Sequence, residues 1–404
     1  MPESRPRDPL PPSLLLLLAA AAGIMVANIY YNQPILGLLA REFGADGAEI
    51  ASVPVLTQVG YALGLLLLAP LGDRVERKRL ILITTAALTV ALVATMAAPG
   101  LASMAAAGLL VGLLATVTQQ VVPLAAQLAP EDRRGRAVGV VMMGLLLGIL
   151  LARTLSGFVA GLAGWRASFA VATALTALMG LLLAWRLPRV APTTKASYPR
   201  LMRSLVEMFL AHAVLRRAAL IQGLLFGAFS AFWSVLALKL EAPPLHLGSS
   251  VAGLFGLIGA AGALAAPLAG RLADRRGPAF LVIAGAALVG VAFIPMGLGG
   301  NSLTALVVGV LVMDLGAQAS MVSNQTRVYA LDAAARSRLN TVYMTLMFAA
   351  GAAGSALGAH AWALWGWPGV CTLGTVMGLG AAAVELTAVR RARPMSRLRG
   401  GDRC

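Results

Sequence analysis

The sequence predicts an all-α integral membrane protein whose twelve transmembrane helices form two pseudo-symmetric six-helix bundles. Three observations lead there: the hydropathy, the sorting of basic residues between alternate loops, and an internal repeat half the chain long. With 59% hydrophobic and 12% charged residues and a mean hydropathy of +0.83, the chain carries too little polar side chain to cover a water-soluble surface. A hydrocarbon core of about 30 Å takes about 20 apolar residues as helix, whereas a barrel would show short alternating strands. Here the apolar runs are long and continuous. Twelve fall at residues 13–40, 49–71, 80–98, 101–128, 137–163, 167–185, 218–240, 249–270, 279–298, 302–325, 340–364 and 367–389. The first, preceded by Arg5 and Arg7, begins like a secretory signal. It continues through the polar patch Asn28–Pro34 to Ala40, which makes it a first span instead.

A net charge of +16 and a pI near 11.3 would suit a nucleic-acid partner if the basic residues gathered on a soluble domain. They do not. Of the 32 Lys and Arg, all but Arg41, Arg166, Lys239 and the mid-span Arg153 fall in the tails and the even-to-odd loops. That asymmetry is the positive-inside signature, so both termini and the long central loop are expected in the cytoplasm, and no nucleic acid is expected as partner. Cys371 and Cys404 are too few and too far apart for a disulfide framework or a metal cluster.

The repeat appears when the halves are laid side by side. Pro70-Leu-Gly-Asp73-Arg74-Val-Glu-Arg77-Lys78 recurs in altered form as Gly270-Arg-Leu-Ala-Asp274-Arg275-Arg-Gly277, an offset of 201. Arg134-Gly-Arg136 then matches Arg336-Ser-Arg338, Met142 matches Met344, and Gly164-Trp165 matches Gly366-Trp367, all at 202. The expected organisation is a cytoplasmic tail over 1–12, a first bundle over 13–187, a cytoplasmic linker over 188–216, a second bundle over 217–389 and a basic tail over 390–404. The linker holds Pro188, Pro192 and Pro199 and a short amphipathic piece around Leu201–Leu215.

This loop motif resembles the pattern G-x-L-a-D-R-x-G-R-K of the major facilitator superfamily, found there between spans 2 and 3 with a weaker copy between spans 8 and 9. Leu71, Asp73, Arg74, Arg77 and Lys78 fit the first copy; Gly270, Leu272, Asp274, Arg275 and Gly277 fit the second. The strings Ala27-Asn-Ile-Tyr-Tyr-Asn-Gln-Pro34 and Gly148-Ile-Leu-Leu-Ala-Arg153-Thr-Leu-Ser-Gly157 look like a bacterial branch similar to twelve-helix drug:proton antiporters. Two positions depart from those antiporters: Ala152-Arg153 stands near their Gly-Pro pair, and their fourth-span arginine is absent around Gly112. The resemblance implies a multi-pass protein of the bacterial inner membrane that works by alternating access, as a monomer in lipid, on a small-molecule substrate and protons. It also implies gating by Asp73, Arg74, Arg77, Lys78, Asp274 and Arg275, because carboxylate–guanidinium pairs beside helix ends can latch and release two bundles.

An ionisable group at the bilayer centre costs on the order of 2.5–3.5 kcal/mol, so it marks a cavity or a partner. Two groups qualify. Asp314 is twelve residues from Ser302 and thirteen from Arg327, and Arg153 is twelve before Trp165, a depth of roughly 18 Å for each at 1.5 Å per residue. Spans 5 and 10 lie close in the superfamily, so the two are expected to pair, with protonation of Asp314 or binding of substrate competing for Arg153. Around them, helical spacing selects polar stripes: Asn28, Tyr31 and Asn32 on span 1; Gln58 and Tyr61 on span 2; Thr116, Gln119 and Gln120 on span 4. In the second half they are Gln222, Phe226, Phe229 and Trp233 on span 7 and Asp314, Gln318, Asn324 and Gln325 on span 10. Amides in hydrocarbon need partners, so these residues either bond across helices or line a solute site. Spans 1, 4, 7 and 10 line the central cavity in the superfamily, and this set is therefore the expected substrate site.

No phosphate-binding glycine loop with its Lys-Ser/Thr occurs, so no nucleotide and no other cofactor is expected. The functional expectation is proton-coupled efflux of a small amphipathic organic compound, with proton-coupled uptake of an organic anion as the alternative. An embedded enzyme or a receptor has little support, since no nucleophile–base spacing and no sensory domain is present.

Overall fold

The computed structural model describes residues 11–192, 194, 196–263, 275–332 and 335–398. Within them the elements run α1 (Pro12–Ala27), α2 (Leu36–Phe43), α3 (Gly47–Ile50), α4 (Ser52–Leu67), α5 (Leu71–Arg74), α6 (Arg77–Met96), α7 (Leu101–Ala115), α8 (Thr118–Leu128) and α9 (Arg134–Ala163). They continue with α10 (Trp165–Arg186), α11 (Tyr198–Ala211), α12 (Ala213–Glu241), α13 (Ser249–Ala263), α14 (Pro278–Leu298), α15 (Leu303–Tyr329) and α16 (Arg336–Leu398). Among the described residues nine helical stretches are long and apolar enough to cross a membrane, and all regular structure is helical. Two shorter apolar helices, Pro12–Ala27 and Ser249–Gly259, stand at the expected first and eighth spans. Outward-facing leucines confirm the solvent: Leu162, Leu181 and Leu298 are 77%, 70% and 87% exposed, tolerable only against lipid.

The chain divides into two compact units, residues 1–203 with 240–257, and residues 204–239 with 258–404. The first division, after Arg203, falls among residues 188–216, where Tyr198–Ala211 is helical.

In the first unit the expected first span is broken. After Ala27 the chain tightens, with Ile29 N–H donating to Val26 O and Tyr30 N–H to Ala27 O, before a 3-10 turn over Gln33–Ile35 restarts the helix. The local sequence encodes this: Pro34 has no N–H and disfavours helical geometry before it, and Asn28 Nδ2 donates to Ile24 O and Met25 O at 3.0 and 3.2 Å. Span 2 also breaks, between α4 and α5. Side chains from elsewhere reach the carbonyls there: Gln120 Nε2 donates to Leu68 O and Ala69 O at 3.1 Å each, beside the backbone N–H groups of Leu71 and Gly72, and Tyr198 Oη donates to Leu67 O at 3.0 Å.

Small residues let these helices touch backbone to backbone, as membrane helices must when lipid supplies no hydrophobic drive between them. Gly112 on α7 lies against Thr57 and Tyr61 on α4, so that a Cβ at Gly112 would fall on the carbonyl of Thr57. We therefore expect Gly112→Ala to cost about 1–3 kcal/mol by overpacking, read as a lower melting temperature in detergent. Gly135→Ala, where nothing lies within 4 Å, should melt no lower than wild type.

In the second unit α14 packs against α15 and α16, and α12 lies backbone to backbone with α16 at Gly227 and Gly354. The long α16 is two helices joined at Gly366, whose φ of 62° an L-residue rarely adopts. In the first unit the α9–α10 junction uses Gly164 at φ 83° in the same way. The following Trp165 and Trp367 are each 5% exposed. The repeat read at Gly164-Trp165 and Gly366-Trp367 is thus a repeat of backbone geometry.

Candidate functional site

The first unit gathers its polar side chains where span 1 breaks. Arg153, 2% exposed on α9, donates from Nε to Gln33 Oε1 at 2.8 Å, and its guanidinium carbon lies 4.5 Å from the centroid of the Tyr30 ring. One turn along α9, Ser156 Oγ donates to Tyr31 O at 2.6 Å, and Ser168 Oγ on α10 donates to Ser156 O at 2.9 Å. The two strings singled out in the sequence, Ala27–Pro34 and Gly148–Gly157, therefore meet in space. An amide oxygen on one edge and a ring on one face fix the guanidinium plane.

Neighbouring residues extend this polar lining. Asn32 Nδ2 donates to Thr57 Oγ1 at 3.0 Å, and that hydroxyl donates on to Val53 O. Gln119 Nε2 donates to Tyr61 Oη at 3.2 Å; Gln58, Tyr61 and Tyr31 are all buried. Two members of the expected set are engaged in holding helices. Besides its backbone bonds, Asn28 Nδ2 reaches Thr176 Oγ1 at 3.3 Å, and Gln120 closes the break in span 2.

The second unit presents aromatics and a carboxylate. Along α12, Phe226 stacks on Phe229 at 5.7 Å, Phe229 meets Trp233 at 5.9 Å, and Phe348 closes on Phe226 at 4.9 Å. Asp314, 7% exposed on α15, lies against bare Gly259: a Cβ there would stand 2.5 Å from Oδ2 and 3.6 Å from the Trp233 ring. Gln222 is 2% exposed, Gln318 and Gln325 are half-buried, and Asn324, fully buried, donates to Ser320 Oγ. Arg153 and Asp314 belong to different units.

The loop motif has local partners. Arg77, 6% exposed, ion-pairs with Asp73 at 2.8 Å and donates from Nε to Gly72 O, while Lys78 Nζ donates to Leu187 O at 2.7 Å, closing the end of α10. Arg74 and Arg275 are exposed, and Asp274 lies outside the described residues.

Three participants were absent from the sequence reading. Gln33 and Tyr30 sat inside a quoted string, but nothing in the string says which of its side chains faces α9. The third, Glu385 on α16, is fully buried and ion-pairs with Arg217 on α12 at 3.2 Å and Arg327 on α15 at 2.9 Å. Its signal was present, an acidic residue among apolar ones near a basic tail, yet its partners lie far off in sequence.

Each unit buries amides and a charged side chain, Arg153 in one and Asp314 in the other, beneath a surface rich in leucine, as a membrane transporter does. Residues 16–359 match the family model of the Major Facilitator Superfamily, and the chain belongs to that superfamily. It is 44% identical over 377 residues to the uncharacterised transporter YgaY of Escherichia coli O157:H7, covering 93% of this chain and 95% of that one. It is 39% identical over 388 residues to the probable transporter SCO4007 of Streptomyces coelicolor, covering 94% and 88%. Among solved structures it resembles a bacterial homologue of the human lysosomal transporter Spinster, with a TM-score of 0.75 at 17% identity over 96% of this chain and 98% of that one. The protein is thus a multi-pass membrane transporter of a small molecule, and not an enzyme.

Proposed function

We propose that the protein is a proton-coupled secondary transporter of a small amphipathic organic solute bearing an acidic group, working by alternating access and exporting its substrate from the bacterial cell. The observation that carries this reading is Arg153: a guanidinium in mid-span, oriented by Gln33 and Tyr30, is the complement of a carboxylate or another oxyanion. The aromatic run Phe226–Phe229–Trp233 suits the apolar part of such a solute, with Tyr31, Asn32, Gln58, Tyr61, Gln119, Gln222, Gln318, Asn324 and Gln325 as its hydrogen-bonding complement. Asp314, buried on α15 beside Gly259 and Trp233, is the proton-bearing group in this reading, since an ionisable side chain in mid-span marks a functional site. Asp73, Arg74, Arg77, Lys78 and Arg275 act at the cytoplasmic gate, with both termini on that side.

Arg153 equally favours a second reading, a carrier that takes up an organic anion together with protons. One experiment separates the two and tests the coupling. In proteoliposomes under an imposed pH gradient, an exporter moves an organic acid against the proton flow and an importer moves it with the flow. The Asp314→Asn variant should lose gradient-driven accumulation while retaining exchange of labelled for unlabelled substrate. Accumulation at the wild-type rate in Asp314→Asn would remove Asp314 as the proton carrier.

A further inference from the structure

Outside the basic tails and loops, and apart from mid-span Arg153, the chain carries three basic residues, Arg41, Arg166 and Lys239. Arg41 ion-pairs with Glu241 and Arg166 with Glu42. Lys239 meets no carboxylate among the described residues, although at 6% exposure it is more deeply covered than either arginine. Its Nζ donates to Asn301 Oδ1 at 3.2 Å. An ammonium has three N–H donors and a full charge, and one amide oxygen satisfies one donor and none of the charge. Burying such a group is costly unless an anion accompanies it.

The surroundings of Lys239 all belong to the second unit. Asn301 stands in the turn between α14 and α15, and that turn is seated on α16. Trp367 Nε1 donates to Met296 O at 2.7 Å, a Cβ at Gly300 would stand 2.5 Å from the Trp367 ring, and one at Gly297 would stand 3.1 Å from the Cys371 Cβ. Bare backbone at Gly297 and Gly300 therefore lets the turn lie close on α16, which holds Asn301 over the end of α12. The ammonium is also within electrostatic reach of the Cys371 thiol, so α12, the turn and α16 converge on it. Beside the oxygen that Lys239 engages, the Asn301 amide carries two N–H groups, and Asn301 itself is exposed. Two kinds of donor thus stand side by side, one charged and one neutral, with an approach from water. That is the complement of the two oxygens of a carboxylate.

We propose that Lys239 and Asn301 form a binding site for the carboxylate of a small organic acid at the end of α12, separate from Arg153. The choice of an organic acid rests on the reading of the solute given above; the site itself rests on the buried ammonium and its amide.

The other lysines are Lys78 and Lys195, so acylation can be followed one amine at a time. Full-length protein in detergent is treated with acetic anhydride in the presence of benzoate, and acetylation at each lysine is quantified by mass spectrometry. Benzoate at about ten times its dissociation constant should slow acetylation of Lys239 about tenfold, because only the free site reacts, and should leave Lys195 at its starting rate. Choline should protect neither. Equilibrium dialysis of labelled benzoate gives a second readout. In an Arg153→Ala background one benzoate should remain bound per chain; Lys239→Arg, which keeps a cation, should retain it and Lys239→Met should remove it. Absence of protection, equal slowing of Lys239 and Lys195, or benzoate bound undiminished in Lys239→Met with Arg153→Ala would overturn the site. So would protection that appears only in vesicles containing phosphatidylglycerol and never with benzoate in detergent, since the ligand would then be a lipid phosphate. The two acid sites fail separately: benzoate held through Lys239 in a protein whose binding is indifferent to Arg153→Ala keeps this site and loses the one at Arg153.

Discussion

Glu385→Ala is expected to destabilise the second unit by about 3–5 kcal/mol, the loss typical of a buried ion pair deprived of one partner. Glu385 is completely inaccessible, and its two oxygens separately face Arg217 at 3.2 Å and Arg327 at 2.9 Å. The two guanidiniums come from the start of α12 and the end of α15, so one carboxylate ties three helices together at one end of the unit. Removing it leaves two cations, with side chains only 32% and 13% exposed, facing each other across a cavity. Glu385→Gln keeps the volume and an acceptor oxygen and should cost less, while Glu385→Asp withdraws the carboxylate by one methylene from both arginines. Melting in detergent, followed by the monodisperse fraction after heating, should rank the variants Gln above Ala. An alanine variant melting with the wild type would mean that the helices are held without this clamp.

Arg153→Ala is expected to reduce substrate binding by about tenfold to a hundredfold, the equivalent of about 1.5–3 kcal/mol for a hydrogen bond to a charged group. Arg153→Lys should not rescue it. An ammonium has no Nε edge for Gln33 Oε1 and no flat face for the Tyr30 ring, so the charge remains while the orientation is lost. Gln33→Ala should fall between wild type and Arg153→Ala, because it removes the bond that aims the guanidinium and leaves the guanidinium in place. A lysine variant that binds as wild type would reduce Arg153 to a plain positive charge.

Much of this arrangement was legible in the sequence, and the reasons for the remainder are physical. Lipid as solvent, the helical class and the repeat all follow from composition and spacing, which the bilayer constrains strongly. Gly164 and Gly366 were found as sequence landmarks, and their left-handed backbone supplies the cause. What spacing cannot give is direction. Asn28 and Gln120 have the residue type of a solute site, yet their amides turn to backbone carbonyls at the breaks in spans 1 and 2, and Pro70, which marks the second break, does not say which side chain will reach it. Gln33 and Tyr30 became recognisable only once the break in span 1 had turned them toward α9. Glu385 was missed for a related reason: it stands four residues from the end of the expected span over 367–389, where a charge ordinarily meets water, and the partners that draw it inward lie on other helices.

The most direct test is thermal stabilisation of the purified full-length protein against a library of organic acids, amines and neutral amphipathic compounds, with the wild type and Arg153→Ala run in parallel. The account predicts that the compounds stabilising the wild type carry an acidic group and lose their effect in Arg153→Ala. Amines or neutral compounds stabilising both proteins equally, with no acid among the hits, would contradict it.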